Sequence, residues 1–302
     1  MEVTSQETSR SALHSGAGWT PYFLMLLQGV LYGFGDPISK AAYEAMPVFS
    51  LLSLRYLIAL LLFLAFAGKR ILQGVRHCAV KDWLLPSLCI TCATQISNLA
   101  LGMTAATSVA FLRSLSTVMT PLLALVFFRS RYHWRHIPIQ LMVVVGLYLL
   151  CGMGGLSGFG LGEVLALLSA LLMAGALVFG GSALSRMDPI TLSAMQTAVS
   201  AVVATTCALV FNGGWNLDVA TPQIWAVIVY LGICCTLVGF LLQNKALKSL
   251  PARTVALLQC FCPVMTAFFS YILLGEQLSA AGMIGSAIIL ACVTAETFLK
   301  EC

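Results

Sequence analysis

The sequence predicts an all-α polytopic membrane protein of ten transmembrane helices, built as two inverted five-helix repeats. Three observations carry that prediction. Apolar runs of about the 20 residues needed to cross a bilayer fill almost the whole chain. The connections between them alternate between basic and non-basic. The stretch from Ala105 to Phe128 also has an echo 146 positions later: Val109-Ala110 meets Val255-Ala256, Leu112 meets Leu258, and Val118-Met119-Thr120 meets Val264-Met265-Thr266.

With 60% hydrophobic and 9% charged side chains in 302 residues, the chain has too little polar surface for a water-soluble globule. Residues 1–18 are polar and small, lack the apolar core of a secretory signal, and read as a soluble tail. The spans follow as Pro21 to Ser39, Val48 to Ala67, Trp83 to Met103, Ala105 to Phe128 and Ile137 to Gly152. A second set runs Leu161 to Leu184, Pro189 to Phe211, Gln223 to Leu247, Ala252 to Leu274 and Ala280 to Leu299. Residues 19–155 and 156–302 are the two repeats, together one membrane domain.

Lys69, Arg70, Arg76 and Lys81 lie between spans two and three, Arg129, Arg131 and Arg135 between four and five, then Arg186, then Lys245, Lys248 and Arg253, and finally Lys300. The alternate connections hold Lys40 with Glu44, the glycine-rich GGLSGFG, Asp218 and Glu276. The positive-inside rule places both termini in the cytoplasm. An odd number of helices per half makes the second half enter from the opposite side, the inverted-repeat plan of many secondary transporters, with a site near the midplane. Chance similarity among apolar residues is the plainer account of the echo, and the odd count and the charge alternation argue against it.

Arg113 sits about nine residues into its span, or ~13 Å deep at 1.5 Å per residue, where a charge costs about 3 kcal/mol or more. Gln259 occupies its echo position. The two are expected to face a central cavity, with Arg113 offering its planar donor fork to an anionic group such as a carboxylate on a substrate. The plainer alternative pairs Arg113 with helix carbonyls or a buried acid. Pro121 and Pro263 read as helix breaks. Each leaves the carbonyl four residues earlier, on Thr117 and Gln259, in need of protein contacts or cavity water, which puts Thr117 with Gln259 among the candidate cavity residues. A proline that merely shapes the helix is the plainer alternative.

Asp36, Lys40 and Glu44, spaced by four, read as an ion-pair ladder at the outer end of the first helix, or as an outer gate with a proton-sensitive acid; proton coupling stays open. Arg55, about 10 Å into the second span, reads equally as a tie to Asp36 or Glu44 and as a lining of the outer vestibule. Gln95 and Asn98 in the third helix, with Gln243 and Asn244 in the eighth, serve interhelical hydrogen bonds or substrate contact. Gly29-x-x-x-Gly33 reads as a close-packing face, and Glu163 and Glu296 as structural residues near helix ends.

The chain resembles the EamA-like family of the drug/metabolite transporter superfamily from Tyr22 to Glu296. The resemblance rests on Tyr32-Gly33 with Lys40, Pro47 followed by Arg55, and Ala110-Phe111-Leu112 leading to Thr120-Pro121. It continues through Gly162-Glu163, Asp188-Pro189 with Gln196, Gln243-Asn244-Lys245-Ala246, Pro263 and Leu274-Gly275-Glu276. It implies a ten-helix alternating-access transporter in a bacterial inner membrane, exporting or exchanging small metabolites, amino acids or drugs, with Tyr32 at the cavity. Arg113, Cys262 and Arg129-Ser130-Arg131 depart from the family pattern, and the first two shift the charge expected in the cavity.

No phosphate-binding loop is present, so the energy source is a substrate or ion gradient. The alternatives are an intramembrane enzyme and a non-transporting scaffold. The enzyme would need a nucleophile with a base, or a metal set, yet all four histidines, His14, His77, His133 and His136, lie in the tail or loops. Cys89-x-x-Cys92 falls inside an apolar run without a histidine near it, and the eleven cysteines read as small buried residues. No metal, cofactor or nucleic-acid partner is expected; the partners are a small molecule and the lipid bilayer, and the oligomeric state is not set by the sequence.

Overall fold

The structure, a computed structural model, describes residues 18–104, 106–128, 137–151, 160–215, 217, 221–275 and 279–298. The tail, Arg129, Arg131, Arg135, most of the glycine-rich connection, Asp218, Glu276, Lys300 and the side chain of Glu296 lie outside it. Among the described residues the chain is helical throughout: α1 (Thr20–Tyr43), α2 (Val48–Arg76), α3 (Val80–Leu101), α4a (Ala106–Ser114), α4b (Ser116–Phe128) and α5 (Ile137–Cys151) form the first half. The second half holds α6 (Leu161–Ala183), α7 (Pro189–Asn212), α8a (Pro222–Tyr230), a π-helical turn (Leu231–Val238) and α8b (Gly239–Ser249). It ends with α9a (Ala252–Leu258), α9b (Phe261–Leu274) and α10 (Ala280–Phe298).

Seven continuous stretches are long and apolar enough to cross a membrane: α2, α3, Ser108–Phe128, α6, α7, Pro222–Ser249 and Ala252–Leu273. Two shorter apolar helices, Ile137–Leu149 and Ala280–Ala295, accompany them. α1 has the length but dilutes its apolar content with Gln28, Asp36 and Lys40. Local chemistry starts and stops these helices. Pro189 and Pro222 sit in the first turns of their helices, capped by Asp188 and Thr221, whose side chains accept from the backbone N–H of Thr191 and Ile224. Gly213 and Gly275 close α7 and α9b at φ 68° and 67°, a left-handed turn natural to glycine.

Large apolar side chains, including Phe66, Val126, Phe211 and Met283, cover the outside. The inside packs apolar residues such as Met25, Leu52, Tyr56 and Phe240 together with small polar ones such as Ser53, Thr91, Ser200 and Thr236. Thr91 and Ser200 hydroxyls meet at 2.8 Å between α3 and α7, and Ser53 and Thr205 at 2.9 Å between α2 and α7. In lipid, close packing and such bonds replace a hydrophobic drive between helices; the apolar exterior marks a protein solvated by acyl chains rather than water.

The strongest helix contacts cross between halves: α3 with α6, α1 with α8b, α4a and α4b with α6, α1 with α9b, α2 with α7, and α5 with α10. Exchanging each helix for its counterpart five positions on maps these pairings onto one another or onto themselves. One end of the bundle gathers Arg70 with Asp188 and Arg186 with Asp82, at 3.0 and 2.7 Å. The opposite end holds Ser50 with Asn212 and Gly214, and Thr104 with Glu163. Glu163 also accepts from the Gly160 N–H, so it caps α6 as a structural residue.

The run from Ala105 to Phe128 is not one helix. It breaks at Leu115, and its echo breaks at Gln259–Cys260, within two residues of the equivalent position. Both breaks precede a proline, within two turns at Pro121 and about one turn at Pro263, and each ring displaces the carbonyl four residues back. The Thr117 carbonyl takes a bond from Gln140 Nε2 of α5 at 3.3 Å, and the Gln259 carbonyl takes one from the Cys262 N–H at 2.9 Å. Both carbonyls thus find protein partners.

Gly29 and Gly33 seat α1 against α9b, as a packing face should. A Cβ on Gly33 would collide with the Met265 side chain and lie 2.9 Å from the Thr266 nitrogen, whereas one on Gly68 would meet nothing within 4 Å. Gly33→Ala is expected to destabilise the protein by ~1–3 kcal/mol or more, and Gly68→Ala to stay within about 0.5 kcal/mol. Thermal unfolding of the detergent-purified variants, followed by size-exclusion chromatography, measures the contrast; equal melting of the two would contradict this packing.

Candidate functional site: a polar cavity between the halves

The helix breaks and the small side chains of the interior leave a cavity of about 80 Å³, room for several waters. α1 contributes a face of residues spaced by four, Gln28, Tyr32 and Asp36, and α9 contributes Gln259 and Cys262 from its break. Arg55 from α2, Asn98 from α3, Arg113 from the end of α4a and Gln243 from α8b add to the polar lining, with serine and threonine hydroxyls between them.

Arg113 Nη2 donates to Asp36 Oδ2 at 2.9 Å. The same carboxylate oxygen accepts from Thr266 Oγ1 at 3.2 Å, and Cys262 Sγ lies 3.6 Å from Arg113 Nη2. The pair therefore joins α1 to α4a in the first half and rests on α9b of the second. About a fifth of each side chain remains exposed, 22% for Arg113 and 19% for Asp36, which the cavity accounts for. A second cluster is built from amides: Gln28 Nε2 donates to the Gly239 carbonyl and to Gln243 Oε1, both at 3.1 Å, and Gln259 Nε2 donates to the same Gln243 oxygen at 2.9 Å. Three helices meet on one acceptor there. On the opposite wall Tyr43 OH donates to Asn98 Oδ1 at 2.7 Å, and Tyr56 OH to Thr94 Oγ1 at 3.0 Å.

The structure brings together Arg113, Gln259, Tyr32, Asn98, Gln243, Asp36 and Arg55 on one cavity. It corrects several expectations. Arg113 is held by a buried acid, the plainer of its two readings, because Asp36 turns inward from α1 instead of along it. The ladder from Asp36 through Lys40 to Glu44 does not form: no ion pair joins these three among the described residues, and α1 ends at Tyr43, before Glu44. Arg55 is tied to neither Asp36 nor Glu44. Gln95 and Thr117 are buried and do not line the cavity, and the helix breaks lie before Pro121 and Pro263 rather than at them.

Asn244 leaves the cavity to its neighbour Gln243 and bonds Ser193 and Gln196 of α7. Gln28 and Thr266 were missed by sequence reasoning. The spacing of four from Gln28 through Tyr32 to Asp36 is the signal that would have found the first; Thr266 carries none beyond its place in the echo.

An apolar-coated helical bundle enclosing a polar cavity where two halves meet defines a multi-pass membrane protein of the transporter kind. The model of the EamA-like transporter family matches residues 19–152 and again residues 160–295, and the chain belongs to that family. Two proteins of Archaeoglobus fulgidus, each described as an uncharacterized transporter, are both 25% identical to it. One aligns over 89% of this chain and 94% of its own length, the other over 89% and 83%. A solved crystal structure shares the fold, with a TM-score of 0.77 at 19% identity over 92% of this chain and 97% of its own.

Removing one partner of a buried pair strands the other, a loss of about 3 kcal/mol at the lower end of the range for such pairs. Asp36→Asn and Arg113→Gln should each reach that loss, and the double variant should fall short of the sum by ~1 kcal/mol or more. Unfolding titrations of all four proteins in mixed micelles give the coupling; strict additivity would show that the contact stabilises nothing.

Proposed function

We propose that the protein is a secondary active transporter of ten transmembrane helices in two inverted halves, 19–155 and 156–302. It moves a small metabolite, amino acid or drug, in the export direction, across a bacterial inner membrane, with both termini cytoplasmic. One observation carries the reading: a cavity with polar and charged lining residues, built from helices of both halves, lies at paired helix breaks. Discontinuous helices at the interface of repeats are how transporters of this kind present polar groups at mid-depth without exposing backbone to lipid.

The exchange symmetry of the helix pairings supports two equivalent halves that rock about the cavity. The gathering of Arg70 and Arg186 at one end supports the cytoplasmic assignment of that end. The Asp36–Arg113 pair contributes no net charge, and its Thr266 bond spans the two halves, so it suits a contact that breaks and reforms during rocking. Gln243, Gln259 and Asn98 then offer neutral amides to a substrate.

Purified protein reconstituted into liposomes is expected to carry substrates down an imposed substrate gradient without any nucleotide. Arg113→Gln should reduce that flux tenfold or more while the protein still elutes as a folded species. Counterflow of a panel of labelled amino acids, organic acids and cationic drugs measures it. Failure of protein-containing liposomes to exceed empty ones for every compound would rule out the transporter reading.

A further inference from the structure

Among the described residues, the side chains of ionisable Asp and Arg type that line the cavity are Asp36, Arg55 and Arg113. Asp36 and Arg113 neutralise each other. Arg55 is left over, 7% exposed and about 10 Å from the start of α2, and no carboxylate among the described residues pairs with it. Of its five N–H groups, Nε donates to Thr236 Oγ1 at 3.1 Å, and no other is bonded among the described residues. The guanidinium lies 5.1 Å from the centre of the Tyr56 ring, and Tyr32 and Cys235 line the same cavity; none of these is a carboxylate.

The local backbone is arranged to hold this side chain. The turn that presents Thr236 is π-helical, and Thr236 Oγ1 also donates to the Leu231 carbonyl five residues back. Gly232 lets the same turn rest on the Arg55 main chain, where a Cβ would stand 3.0 Å from the Arg55 carbonyl oxygen. A π-helical segment inside a helix is rare and is frequently placed at a functional site. A buried guanidinium without a counter-ion is strongly disfavoured, and among the described residues an acid pairs with Arg113 but none pairs with Arg55.

We infer that Arg55 is the anchor for a carboxylate group of the transported molecule, and that the substrate is a small monocarboxylate whose remainder is uncharged. This rests on the transporter reading for the word transported, and on the cavity alone for the binding site. The two outer nitrogens of the guanidinium form a fork that matches a carboxylate oxygen for oxygen. The charge count selects further: one negative charge brings the lining from +1 to zero, a zwitterion leaves it at +1, and a dianion overshoots. Hydroxy acids, keto acids and N-acylated amino acids meet the requirement. Their neutral ends would face the Gln28, Gln243 and Gln259 amides.

The test presents full-length purified protein with matched sets in sodium sulfate buffer. Lactate, pyruvate and N-acetylated alanine, leucine and phenylalanine are each compared with the corresponding amide and, for the amino acids, with the free zwitterion. Thermal midpoint is read in detergent and counterflow in liposomes, with chloride as a separate arm. At least one carboxylate is expected to raise the midpoint, with an apparent affinity tenfold or more above its amide and zwitterion. Arg55→Gln should lose that preference at least tenfold, and Arg55→Lys, which keeps the charge but not the fork, should fall between. The comparison on the unmodified protein stands even if a variant fails to fold. Stabilisation by none of the carboxylates, by amide or zwitterion equally, by chloride equally, or undiminished in a folded Arg55→Gln overturns the assignment. Counterflow of amides or zwitterions without carboxylates would sink the role of Arg55 while leaving a transporter; a carboxylate that stabilises through Arg55 but is never carried would do the reverse.

Discussion

A guanidinium and a carboxylate 2.9 Å apart in the middle of an apolar bundle impose the constraint to which the surrounding helices answer. Asp36 must be brought inward on α1, and glycines at 29, 33 and 35 let that helix lie against α9b and the π-turn closely enough to do so. Arg113 must end its helix segment near the cavity, and the break at Leu115 lets α4a stop one residue later. Thr266 of the opposite half takes up the remaining slack on the shared carboxylate oxygen. The pair is too buried for water to solvate fully and too open for a dry core, which is the state expected of groups at the wall of a cavity inside lipid.

The second half answers with neutral groups where the first has charges. Gln259 stands in the echo position of Arg113, and its amide is bound into the Gln28–Gln243 cluster. The cavity is therefore asymmetric in charge although its scaffold is built from equivalent helix pairings. The two family matches in one chain account for the similar helix pairings, and the side-chain differences between the halves account for the uneven charge of the lining.

Much of this was legible in the residues. The 146-residue echo pointed to Arg113 and Gln259 as counterparts, and both line the cavity; the two prolines pointed to carbonyls needing partners, and both have them. What failed was assignment of partners. Spacing of four along α1 favoured a ladder from Asp36 to Lys40, since sequence shows neighbours on one helix and is silent on the helix that packs against it. For the same reason Arg55 read equally as a tie and as a lining residue, and only the packing of α2 against the π-turn separates the two. The helix breaks expected at Pro121 and Pro263 fall earlier, at Leu115 and at Gln259–Cys260, because proline marks a lost bond but not the residue at which the helix stops.

The central claim, that the cavity between the halves opens to each side in turn, is tested most directly by the access of a reagent to Cys262, which lines the cavity beside Arg113. With the other cysteines replaced, a membrane-impermeant thiol reagent can be applied to right-side-out and inside-out vesicles. The account predicts labelling of Cys262 from both faces of the membrane, slowed by any compound that is carried. Labelling confined to one face under every gradient, or from neither face, would contradict it.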